Sequence, residues 1–154
     1  MEILEKRLSL LENLVALVEA KFRNIYVEAL NAIKEHNVKK YIFKPSKKEL
    51  WIVVGREGEY LITEWNKNND LQFACSCPDY LFHVLLKHSK DIKEKPIIRR
   101  PFCYHVVSRI IAEIHEIRKT LGLNYRNDFL PEIIVENDEY YLELIKEIME
   151  FFQR

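Results

Sequence analysis

Three cysteines and one histidine stand in a single arrangement: Cys75-Ser76-Cys77, then residues 78–102, then Cys103-Tyr104-His105. Every cysteine of the chain is used. Thiolate sulfur and imidazole nitrogen are the ligands of a tetrahedral Zn²⁺, with Zn–S near about 2.3 Å. Two sulfurs on one such ion lie roughly 3.8 Å apart. A Cys-x-Cys pair at a strand end reaches that distance, because residues i and i+2 of a strand point to one side. On a regular helix i and i+2 diverge by about 200°. Cys103 is therefore expected just ahead of a helix, near its N-cap, and His105 in the first turn, where the positive helix end favours thiolates. Cys75, Cys77, Cys103 and His105 are the predicted metal ligands and Zn²⁺ the predicted cofactor. All four coordination positions are then filled by protein. A catalytic zinc keeps one position for water, so this site is predicted to be structural, with part of the folding free energy supplied by metal binding. Three thiolates and a neutral imidazole leave the centre with a net charge of about −1. Arg99 and Arg100, just upstream, can offset it.

The bland alternative is three buried cysteines acting as small hydrophobes and a capping histidine. A Cys75–Cys77 disulfide would close a strained ring, which favours free thiolates. His83 and His88 rival His105 as fourth ligand, but five residues apart on a helix they would not aim at one ion. His36 and His115 read as ordinary surface or helix-face residues.

The elements that must position these ligands follow from hydrophobic period. Residues 2–36 read as one long helix. Leu4, Leu8, Leu11, Val15, Val18, Phe22, Ile25 and Ala29 form a heptad seam, and Leu10, Leu14 and Leu17 a second stripe. The seam is expected in the core, with Asn37 just past the helix end. Residues 40–75 change period. Tyr41–Phe43, Trp51–Val54, Tyr60–Trp65 and Leu71–Cys75 are β-branched and aromatic runs separated by turn signals, giving an antiparallel meander of three or four strands. Residues 79–90 read as a helix behind Pro78, and 91–101, with Pro96 and Pro101, as irregular. A helix runs from about Cys103 to Leu121 and stops at Gly122. Residues 124–137 read as a connection without assigned form, and 138–152 as a last helix with Asp138 as N-cap. The fold class is α+β: a long N-terminal helix, the meander, a zinc finger leading into a helix, and a C-terminal helix. Boundaries fall at 1–37 for the N-terminal helix, 38–122 for the zinc-binding domain and 123–154 for the helical extension, within one compact unit.

Composition bounds the function. The chain has 154 residues, 48% hydrophobic and 31% charged, as in a folded domain. No apolar run is long enough to cross a bilayer and the first residues lack a signal-peptide layout, so a cytoplasmic or nucleoid-associated protein with no membrane partner is expected. Richness in Ile, Lys, Glu and Tyr leans toward a thermophile. The net charge of zero hides a polarity. Residues 39–48 hold five lysines and no acid, and residues 128–154 hold eight acids against Lys146 and Arg154. Lys39, Lys40, Lys44, Lys47 and Lys48, with Lys87, Lys90, Lys93, Lys95, Arg99 and Arg100, are the candidate phosphate contacts of a direct DNA-binding module. Ordinary solvated surface is the competing reading of the same charges. An enzyme is not expected. No G-x-S-x-G, H-E-x-x-H or phosphate-binding loop occurs, nor the H-x-E and P-C-x-x-C of zinc deaminases.

Cys75-Ser76-Cys77-Pro78-Asp79-Tyr80 followed by Phe102-Cys103-Tyr104-His105-Val106-Val107 resembles the SWIM zinc finger, whose signature is C-x-C, a variable gap and C-x-H. That family favours Cys-x-Cys-Pro-Asp-aromatic after a strand, and Cys-Lys-His opening an apolar helix. Tyr104 stands here in place of the lysine, and the gap is on the long side. The resemblance covers about residues 50–120. It implies zinc binding together with DNA or protein contacts. A small chain of this kind is similar to the SWIM subunits of Shu-type complexes, which act with recombinase paralogues of the RadA class in recombinational repair. The resemblance therefore implies a non-enzymatic accessory protein whose partner is such a paralogue. Direct DNA binding is the alternative, and the heptad seam of the first helix also permits a homodimer.

Overall fold

A computed structural model describes residues 2–55, 58–67, 70–77, 102–139, 141–143 and 146. Two helices come first, α1 (Glu2–Lys21) and α2 (Arg23–Lys34). The single expected helix is broken at Phe22, which has φ −134° and ψ 57°. Neither proline nor glycine forces this. A straight helix over 2–36 would run about 50 Å, longer than the roughly 40 Å width of a globule of this size. The seam instead folds back so that both halves lie on one later helix. Its members behave as a core stripe. Leu8, Leu11, Val18, Ile25 and Ala29 are buried, and Leu4, Val15 and Phe22 pack against them. Most of the seam thus faces the core of the chain. Of the second stripe, Leu10 and Leu17 are exposed, as is Ile3 ahead of them.

The end of α2 differs by one residue from expectation. His36, not Asn37, takes the left-handed conformation with φ 60°. The Asn37 N–H donates to the Ala32 carbonyl at 2.9 Å and the His36 N–H to Ile33 at 3.0 Å, which closes the helix in a Schellman pattern.

Four antiparallel strands follow: β1 (Val38–Phe43), β2 (Glu49–Gly55), β3 (Gly58–Lys67) and β4 (Asp70–Cys75). A fifth, β5 (Glu132–Val135), lies in the segment read as a connection and pairs in parallel with β1. The expected meander is therefore a five-stranded mixed sheet ordered β4-β3-β2-β1-β5. One register row crosses it, Cys75–Ile62–Trp51–Lys40–Glu132.

Helix α3 (Tyr104–Thr120) lies on that sheet and carries eleven buried residues, among them Val106, Val107, Ile110 and Ile111. It ends as expected at Gly122 (φ 73°). There the Gly122 and Leu123 N–H groups donate to Lys119 and Arg118 carbonyls. Helices α1, α2 and α3 and one sheet face share a core from Leu8 to Phe129. The opposite face buries Tyr41, Phe43, Leu50, Ile52 and Leu61, with Val135 and Tyr141 against them. Helical backbone returns at 139, 141–143 and 146 in the C-terminal segment. Asp138 accepts from Ser46 Oγ, while the Asn137 side chain receives the Glu139 N–H. The expected helix at 79–90 lies outside the described residues.

Candidate metal centre

Cys75 is the last residue of β4, opposite Ile62. The next residue extends the ladder by its side chain. Ser76 N–H donates to the Leu61 carbonyl at 3.1 Å, and Leu61 N–H donates to Ser76 Oγ at 3.0 Å. This double clip fixes the Cys-Ser-Cys segment to β3 and places Cys77 beside Cys75. Cys103 is the N-cap of α3 with extended backbone (φ −82°, ψ 164°) and His105 is in the first turn, both as expected. Ser108 Oγ bonds back to the His105 carbonyl at 2.7 Å and steadies that turn.

The four ligand atoms lie within 4.8 Å of one another, and all four residues are buried. No disulfide forms among them. Hydrogen bonding with Cys103 and Cys77, and then burial, hold the Cys75 thiol far above its ordinary range. Burial first, and Cys77 with it, pushes the Cys103 thiol up as well, although hydrogen bonding with Cys75 and with the Val106 backbone favours its thiolate. Three thiols crowded in an apolar interior cannot all ionise unless a cation sits among them, and a divalent ion inverts that balance. His105 gives the same indication. Both ring nitrogens are buried, and neither has a hydrogen-bond partner among the described residues. Such orphaned atoms normally cost about 1–3 kcal/mol each. A metal bond to one of them explains part of the deficit. Sulfur and imidazole donors in a closed set of four fit Zn²⁺.

Sequence reasoning missed the surroundings of the histidine. The His105 ring meets the rings of Tyr104 (centroids 4.0 Å apart) and Tyr60 (4.9 Å), with Gly55 close to its Nε2. It also missed Arg109, one turn further along α3. This guanidinium is buried over Trp51 (4.5 Å) and Phe73 (5.0 Å). It meets Glu113 at 2.7 Å and Glu64 at 3.3 Å, and Arg7 from α1 closes on the same two carboxylates. Burial alone would push the Glu113 carboxyl up, but Arg7 and Arg109 outweigh it and hold it below the usual range.

The candidate phosphate contacts are less uniform than their sequence. Lys40 points inward, with Nζ 3.3 Å from Glu116, 3.7 Å from Glu49 and 5.3 Å from the Trp51 ring. Lys44 pairs with Glu136 at 3.3 Å and Lys48 sits over Tyr141. Lys39 is partly buried and Lys47 exposed. Lys87, Lys90, Lys93, Lys95, Arg99 and Arg100, like the rival ligands His83 and His88, lie outside the described residues. His36 is exposed. His115 is half-buried, accepts the Arg126 N–H at Nδ1 (3.0 Å) and meets Phe129 edge-on. Among the described residues no helix is long and apolar enough to cross a membrane.

No family model matches the chain, and no solved structure matches it. The chain is similar to a curated protein of Dictyostelium discoideum, "Zinc finger SWIM domain-containing protein 7 homolog", with 31% identity over 86 residues. That alignment takes in 56% of this chain and 46% of the relative, so the chain spans about half the relative's length. Ligand order, spacing and burial make a Cys₃His site compatible with a SWIM zinc finger, and the likeness to a SWIM-domain protein fits zinc binding.

Proposed function

We propose that this chain is a non-enzymatic accessory protein that binds a RadA-type recombinase paralogue in DNA recombination and repair. The observation that carries the reading is the sealed Cys₃His centre, together with the likeness to a SWIM-domain relative. A centre with four protein ligands holds a strand end to a helix start, and leaves no coordination position for a substrate. SWIM subunits of Shu-type complexes combine such a finger with recombinase binding. The charged cleft of about 960 Å³ between α3 and the sheet agrees with a role without catalysis. Its arginines, Arg7 and Arg109, are already committed to Glu64 and Glu113, and Lys40 to Glu116.

The partner surface is not the heptad seam, which lies in the core. The apolar residues that α1 leaves outside are Ile3 (82% exposed), Leu10 (44%) and Leu17 (42%), seven positions apart. Seven residues are close to two helical turns, so they form one stripe. Co-elution of this protein with RadA-type paralogues from its own source tests the reading. A complex that forms, and that Leu10→Glu with Leu17→Glu disrupts, supports it. Failure to co-elute with any such paralogue counts against it. Binding of single-stranded DNA at low salt by the isolated protein would favour the DNA-binding alternative. That alternative has fewer free lysines than the sequence suggested, since Lys40 and Lys44 are answered by acids.

A further inference from the structure

We propose that Gly55 is a positioning residue of the metal centre: the side chain it lacks is what lets the His105 imidazole sit as fourth ligand. Zinc-binding histidines are usually oriented by a hydrogen bond from the second ring nitrogen. Here neither nitrogen has such a partner among the described residues. Among the described residues it is packing that bounds the ring. Two walls are the rings of Tyr60 and Tyr104, both tilted against the imidazole. The third is the end of β2. Residues 51, 53 and 55 of that strand alternate toward α3, so a side chain at 55 would project into the same space. A Cβ placed on Gly55 would stand 2.4 Å from Tyr60 Cε2 and 3.0 Å from His105 Nε2. The first contact is impossible without movement of the Tyr60 ring. The second is too close for a ring that a metal bond pins in place. A glycine inside a strand often marks such an approach.

The proposal rests on the centre taking a divalent metal, and the unaltered protein tests that separately. With Co²⁺ as probe it should show thiolate-to-metal charge transfer and tetrahedral d–d bands. Gly55→Ala should then bind Co²⁺ and Zn²⁺ about 10–100-fold more weakly. Its d–d bands should shift as an oxygen ligand replaces nitrogen. Gly55→Ala combined with Tyr60→Leu removes the shorter contact and keeps the one to His105. This double variant should fold with zinc yet bind Co²⁺ and Zn²⁺ more weakly, with a more altered spectrum, than Tyr60→Leu alone, which opens one wall of the ring and serves as its reference. Gly122→Ala, away from the centre at a left-handed position, should lower stability without changing the spectrum. Unaltered affinity and bands in Gly55→Ala would overturn the proposal. So would a double variant no weaker than Tyr60→Leu alone, which would place the effect in Tyr60. Failure of both Gly55 variants to fold with zinc would also overturn it, by placing the role of Gly55 in the hairpin. If the unaltered protein takes up no metal, the zinc reading itself fails.

Discussion

Each ligand is held by something other than its own spacing, and single substitutions separate these supports. Ser76→Ala deletes the acceptor for the buried Leu61 N–H. An orphaned donor of that kind costs about 1–3 kcal/mol, so urea denaturation of zinc-loaded Ser76→Ala should show a loss in that range. A loss within error would mean that the clip does not fix the segment. Glu116 offers a test in pH. Burial pushes its carboxyl up to about 7, against the pull of Lys40, and Glu132 adds to the rise. The folded state thus prefers the protonated form. This contribution favours folding below the ordinary carboxyl value of 4.5 and is lost as pH rises through about 7. A side-chain carbonyl NMR titration should show a midpoint near 7 for Glu116, moving downward in Glu132→Gln. A midpoint near 4.5 in the unaltered protein would remove the effect.

At the scale of elements, α3 is fastened to the sheet at three points along its length: the metal centre, Arg109, and the Lys40–Glu116 pair. Arg109→Ala leaves two carboxylates with only Arg7 and strips the packing from Trp51 and Phe73. Breaking a buried pair of this type costs about 3–5 kcal/mol, so thermal melting should fall sharply. A change below about 1 kcal/mol would show that solvent replaces the arginine. The helix end at His36 should respond in the other direction. His36→Gly relieves a left-handed residue and should stabilise by up to about 1 kcal/mol. Much of this layout was readable in advance. The chain has only three cysteines, so two short pairs of ligands fixed the centre, and with it the N-cap at Cys103. The period change at residue 40 marked the meander. What stayed hidden depends on partners far away in sequence. The break at Phe22 lets both halves of the seam lie on α3, and no proline or glycine in α1 announces it. Strand β5 is four residues long and exists because β1 has an open edge beside it. Lys40 reads as one of a basic run, and only the sheet register and the packing of α3 set it beside Glu132 and Glu116. Gly55 reads as half of a turn, and its contact with His105 appears only across the sheet.

For the whole molecule, one metal-tied joint connects a sheet edge to the helix on which α1 and α2 rest. Core packing and metal binding should therefore fail together. Chelation should lower the melting temperature and loosen α3, so that amides from Val106 to Ile111 lose protection from hydrogen exchange earlier than those of β1 and β2. The outward stripe of α1 is independent of this joint. Leu10→Glu should leave melting unchanged within about 0.5 kcal/mol while weakening any partner that docks there. The most direct test is elemental analysis of the protein purified without added metal, beside Cys103→Ser and His105→Ala. The account predicts about one zinc per chain, near zero in Cys103→Ser, and weakened, chelator-sensitive zinc in His105→Ala. A folded, metal-free protein with three free thiols, or full zinc retention in Cys103→Ser, would contradict it.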